Sequence, residues 1–178
     1  ILSSLATLAF VVVGAAVGIR LLVVGQRTRE LPERSVGLAL LLIGGIGYPL
    51  AVLSGLRDVV SPGTGIRLVA ISTFVIDAGF IGVVVFTWSV FRRKEGWARM
   101  LLAVLATGYV AHAVAVGITA AGMSDPKELM TAPINLAGQL LNTISFGWTA
   151  IEAYRYWWML RKRAALGLSD PVTTNRFL

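Results

Sequence analysis

The chain has 178 residues, of which 56% are apolar and only 14% charged, and its mean hydropathy is +0.78. Soluble domains are about 45–50% apolar and about 25% charged, so the composition argues against a soluble enzyme and makes lipid the solvent. The net charge of +7 is clumped between apolar runs, which reads as a membrane-topology signal and not as a nucleic-acid footprint. Cysteine is absent, which removes disulfides, thiolate metal sites, haem attachment and cysteine nucleophiles together.

A helix needs about 20 apolar residues to cross the hydrocarbon core. Five runs qualify, giving an all-α, polytopic transmembrane bundle and a single transmembrane domain over 1–178. The first covers residues 1–25 and is interrupted only by Arg20. Its Gly14 and Gly18 form a GxxxG pair. The loop 26–35 follows, with Pro32 as its breaker and with Arg27, Arg29 and Arg34 mixed with Glu30 and Glu33. The second run, 36–56, is crowded by Gly37, Gly44, Gly45 and Gly47 and carries Tyr48 and Pro49. Its glycines are read as close-packing positions, and Pro49 as the site of a kink. Arg57 and the turn Ser61-Pro62-Gly63 lead to the third run, 66–91, which carries Asp77. A tight basic hairpin, Arg92, Arg93 and Lys94, precedes the fourth run, 97–122, which carries His112. Asp125, Pro126 and Glu128 have the pattern of a helix start, with N-cap, N1 and N3 filled, so a short interfacial helix is expected there. The fifth run, 133–160, is the most polar. Beyond it Ser169, Asp170 and Pro171 repeat the helix-start pattern, so 169–178 is expected to begin a sixth span.

Basic residues concentrate in the odd loops and after the fifth run, at Arg161, Lys162 and Arg163. The second and fourth loops offer only Arg57, Arg67 and Lys127. The positive-inside rule then places the N-terminus outside and the C-terminal segment inside. Trp88, Trp97, Tyr154, Tyr156, Trp157 and Trp158 fall at the same inner interface, where amphipathic rings gather. Trp157, Trp158 and the run 161–163 are interface anchors and contacts for anionic lipid. The expected location is multi-pass, in a bacterial inner membrane. With two further spans, the count and orientation would resemble those of seven-helix receptors and rhodopsins, a likeness of topology alone. No lysine lies within a span to form a retinal Schiff base: Lys94, Lys127 and Lys162 are in loops or at interfaces.

Ionisable residues inside a span mark function in membrane proteins, because a charge at the bilayer centre costs at least about 2.5–3.5 kcal/mol. Asp77 and His112 each lie about ten residues, or about 15 Å, below the same membrane face, so neighbouring antiparallel helices bring them to one depth. Asn135, Gln139 and Asn142 follow on the fifth run at i, i+4 and i+7, with Thr143 and Ser145 beside them. Tyr48 and Tyr109 are at compatible depth. A polar core of Asp77, His112, Asn142, Gln139, Tyr48 and Tyr109 is expected, acting as a small-ligand site or a proton-responsive switch. The structural alternative is an interhelical hydrogen-bond cluster that fixes register, worth about 0.6–2 kcal/mol per bond. Glu152 and Arg155 are expected to pair along their helix.

One histidine and no cysteine argue against a metal site or a two-histidine haem, and no cofactor is expected. No Walker, Rossmann or nucleophile-elbow pattern appears, so no catalytic residue is assigned. The expectation is a non-enzymatic membrane protein, either a sensor-like bundle or an accessory subunit of a membrane complex. The alternative is a transporter or proton-conducting protein using the Asp77/His112 pair. A third class, a membrane enzyme or cofactor-binding subunit, has no extramembrane domain to support it. Expected partners are membrane lipids, other subunits or a second copy through the glycine-rich faces, and no nucleic acid.

Overall fold

A computed structural model describes residues 2–56 and 58–165. Arg57 and the helix start expected at 169–178 lie outside the described residues. Every regular element among those described is helical: α1 (Leu2–Thr28), α2 (Leu31–Leu40), a π-helical stretch (Leu41–Gly47), α3 (Tyr48–Ser54), α4 (Pro62–Phe91), α5 (Gly96–Ala121), α6 (Pro126–Thr131) and α7 (Ile134–Ala165). Among the described residues, four rods are long and apolar enough to cross a membrane: Ala6–Thr28, Leu31–Ser54, Pro62–Phe91 and Gly96–Ala121. α7 is longer than any of them, at 32 residues, but is less apolar than the four.

Helix ends follow local chemistry. Ser61 caps α4 by accepting from the Thr64 N–H, with Pro62 in the first turn. Asp125 caps α6 by accepting from the Lys127 N–H at 2.9 Å, again followed by proline. The first connection is shorter than the sequence suggests. α1 runs to Thr28, and α2 begins at Leu31 with Pro32 inside its first turn. A proline there loses no helical hydrogen bond, because first-turn N–H groups have no partner within the helix. Arg29, at a φ of 60°, makes the reversal in the left-handed conformation that follows many helices.

Pro49 produces a change of winding. The residues just before it, 41–47, form the π stretch, and the Tyr48 N–H bonds the Ile43 carbonyl five residues back. A proline has no N–H for the carbonyl four residues before it and crowds that carbonyl. The wider turn relieves that crowding, and the rod continues to Ser54.

Glycine sets the spacing of the first helices. A Cβ at Gly18 would lie 2.9 Å from both the Gly37 oxygen and the Leu41 nitrogen, closer than a carbon can approach without a shift. Gly14 and Gly44 meet in the same seam, where a Cβ on Gly14 would be 3.3 Å from the Gly44 Cα. These faces are therefore used within the chain. α4 is the central helix and packs on α2, the π stretch, α3, α5, α6 and α7, whereas α1 lies at the edge, against α2 and the π stretch.

Two apolar clusters fill the bundle. The larger joins Ile43, Phe80, Val84, Ala98, Leu105, Tyr109 and Trp148. The smaller joins Ile66, Val69, Val116 and Leu129 at the α6 end. The outer surface is apolar too: Ile118 is 72% exposed and Met100 71%. Large aliphatic side chains turned outward along whole helices are what a lipid solvent accepts.

Candidate functional site

Asp77 sits in the middle of α4 and His112 in α5, and the structure brings them together. His112 Nδ1 and Asp77 Oδ2 are 2.7 Å apart, and both side chains are 5% exposed. The pair lies between the two apolar clusters, with Phe80 and Tyr109 one turn to one side and Val116 one turn to the other. The other ring nitrogen, Nε2, is buried and has no hydrogen-bond partner among the described residues. α7 passes directly over the ring at Gly138, where a Cβ would stand 2.6 Å from both Cε1 and Nε2. Only glycine lets α7 lie this close to the imidazole.

Counting protons defines what the pair can do. It is uncharged overall either as a carboxylate with an imidazolium or as a carboxylic acid with a neutral imidazole. In both, one hydrogen lies between Oδ2 and Nδ1, and a second is on Nε2. Removing the second leaves a net negative charge in a low-dielectric interior, which is expensive. Keeping it leaves a buried donor without an acceptor, at about 1–3 kcal/mol. The site thus balances two unfavourable states, and a small acceptor or a shift of α7 at Gly138 would tilt that balance.

One turn further along α5, the Tyr109 hydroxyl is fully buried and bonds both Asn142 Oδ1 (3.1 Å) and Ser145 Oγ (2.9 Å) on α7. The next contact is Thr149 on α7 with Thr87 on α4, their hydroxyls 2.7 Å apart. Beyond it, Glu152, buried on α7, holds Arg92 at the end of α4, Nε to Oε2 at 2.9 Å. Glu152 also pairs with Arg155 at 3.8 Å, as its spacing suggests. The carboxylate beside it raises the Arg92 pKa further above its ordinary value, so that guanidinium stays charged. Gly138, Asn142, Ser145, Thr149 and Glu152 alternate steps of four and three. That is the spacing of one straight helical face, here polar and turned inward.

Two expected members stand elsewhere. Tyr48 is 43% exposed and packs edge-on against Phe10. It lines an outward groove with Ala6, Thr7 and Phe10. The re-registered π turns rotate it away from the bundle centre. Gln139 is exposed as well. At 100° per residue, Asn135 and Asn142 are only about 20° apart, while Gln139 is displaced about 60° from Asn142, on the side away from Gly138 and Ser145. Asn135 leaves the core too, donating to the Leu129 and Met130 carbonyls at the end of α6. Sequence reasoning does not single out Thr87, Thr149 and the Arg92–Glu152 pair as interhelical partners. The signal that could have found them is the step of four and three along α7.

At the Arg92 end the aromatic belt is met by cations. Arg92 lies 5.7 Å from the Trp97 ring centre, Arg161 4.9 Å from Trp157 and Lys162 5.5 Å from Trp158. Arg163 is exposed beside them. No family model, curated protein or solved structure matches the chain.

Proposed function

We propose that this chain is a non-enzymatic, multi-pass membrane module, a sensor-like bundle whose responsive element is the Asp77–His112 pair. The observation that carries it is the buried Nε2 of a carboxylate-bound histidine, without a partner among the described residues and held against Gly138. α7 is the fifth span. Its inward stripe is polar, but Leu136, Leu140, Ile144 and Ile151 are exposed on its outer side, as lipid contact requires. The basic residues 92–94, 99 and 161–163 sit on the inner side, which puts the N-terminus outside. That arrangement suits a bacterial inner membrane, with Trp157, Trp158 and the run 161–163 as anchors to anionic lipid.

His112 is the only histidine in the chain, so protein labelled with nitrogen-15 histidine reports one ring. In lipid nanodiscs, the Nε2 signal is followed while the pH is varied. Amide exchange in α7 around residues 138–145 should change in step with it. Asp77→Asn and His112→Gln should each abolish that coupled change while the helix content by circular dichroism is retained. If α7 exchange in the wild type ignores the state of Nε2, and both variants merely lose thermal stability, the pair is structural and the proposal fails.

A further inference from the structure

Gln139 lies next to Gly138, which touches the His112 ring, so its carboxamide is at the depth of the Asp77–His112 pair. Yet it faces outward, and it has no hydrogen-bond partner among the described residues. With α7 as a membrane span, as proposed above, this amide projects into hydrocarbon, where polar side chains are met by another helix. The surface around it permits close approach. Thr143, one turn on, is exposed, and its hydroxyl is already used on the Gln139 carbonyl at 2.8 Å. Gly147, a further turn on, has open space where a Cβ would point, so nothing inside the chain requires a glycine there. Residues 139, 143 and 147 form a row at four-residue spacing, the ridge used in right-handed crossings of membrane helices.

We infer that this row of α7 is the contact surface for a second copy of the same chain. A carboxamide both donates and accepts, so two related by a two-fold axis along the membrane normal satisfy each other. Every copy inserted in one orientation brings Gln139 to the same depth, which no unrelated helix is bound to do. The glycine pairs of α1 and α2 are closed within the chain and do not supply this seam.

The chain has no cysteine, so single-cysteine variants are unambiguous. Thr143→Cys, Gly147→Cys and, as a control on the exposed face of α5, Ile118→Cys would be reconstituted in phosphatidylcholine vesicles at high lipid-to-protein ratio and oxidised. Disulfide-linked dimers are expected from Thr143→Cys and Gly147→Cys and not from Ile118→Cys, since bonding needs the Cα atoms within about 7 Å. Adding Gln139→Leu to Thr143→Cys should slow cross-linking by about three- to tenfold, and Gln139→Asn should restore most of it. Equal cross-linking at all three positions, or no response to Gln139→Leu, overturns the interface. Modification of the Thr143→Cys thiol by a membrane-impermeant maleimide, in folded protein, shows that α7 is in water and overturns the span along with the interface. A thiol shielded from that reagent but never cross-linked overturns the interface alone.

Discussion

Gly138→Ala is the substitution that interrogates the site most directly. The added methyl would stand 2.6 Å from His112 Nε2 and Cε1, about 1 Å inside ordinary van der Waals contact. The ring cannot simply retreat, because Asp77 holds its other edge at 2.7 Å. Either that bond lengthens, or α7 moves off and draws Asn142 and Ser145 away from Tyr109. Overpacking of this kind costs about 1–3 kcal/mol, and replacing glycine by alanine within a helix returns up to about 1 kcal/mol. The net loss expected is up to about 3 kcal/mol. For a chain of this size each kcal/mol moves the melting temperature by about 2–4 °C, so the midpoint should fall by up to about 12 °C. The assay is thermal unfolding in one detergent, with Gly117→Ala as control, since a Cβ at Gly117 meets nothing within 4 Å. A double-mutant cycle completes it. His112→Ala removes the ring, so the steric part of the Gly138→Ala penalty should vanish in that background, leaving a coupling term well above the error of additivity. Equal midpoints for Gly138→Ala and Gly117→Ala, with an unchanged His112 nitrogen-15 spectrum, would refute the reasoning.

The Arg92–Glu152 pair should respond asymmetrically. Arg92→Gln leaves a carboxylate that is only 4% exposed with the more distant Arg155 at 3.8 Å, whereas Glu152→Gln leaves a guanidinium that is 24% exposed with Glu95 at 3.7 Å. Losing the close partner of a buried charge costs up to about 3–5 kcal/mol, so Arg92→Gln should lower the melting temperature more than Glu152→Gln, and the reverse order would count against the assignment. Tyr109→Phe leaves Asn142 and Ser145 without their shared hydroxyl and should cost about 0.6–2 kcal/mol, whereas Tyr48→Phe, at an exposed ring, should be neutral in the same melts. Thr87→Val removes the contact to Thr149 and should cost about 0.6 kcal/mol. A loss above about 2 kcal/mol, measured the same way, would mean that Thr87 does more than this one bond.

The features legible in the sequence rest on length scales internal to one segment. A bilayer demands about 20 apolar residues per crossing, and four of the five runs read as meeting that demand form α1, the rod 31–54, α4 and α5. Cap chemistry at Ser61 and Asp125 is local as well, and both caps form as their side chains require. Depth is a count along a helix, which is why Asp77 and His112 meet.

Rotation of each helix about its axis is decided only in three dimensions. Spacing tells which residues of α7 share a face, but not which face turns inward. Gly138 decides that by admitting the His112 ring, and Asn142, Ser145, Thr149 and Glu152 then follow inward with it. The same rotation carries Gln139 to the outside, and the π turn ahead of Pro49 does so for Tyr48. The chain by itself therefore determined how far each polar group lies into its helix, because hydrophobicity and helical rise act within one segment. Which of those groups touch was settled by packing, because close approach at Gly18 and Gly138 selects one azimuth for each of their helices from several that the sequence pattern allows.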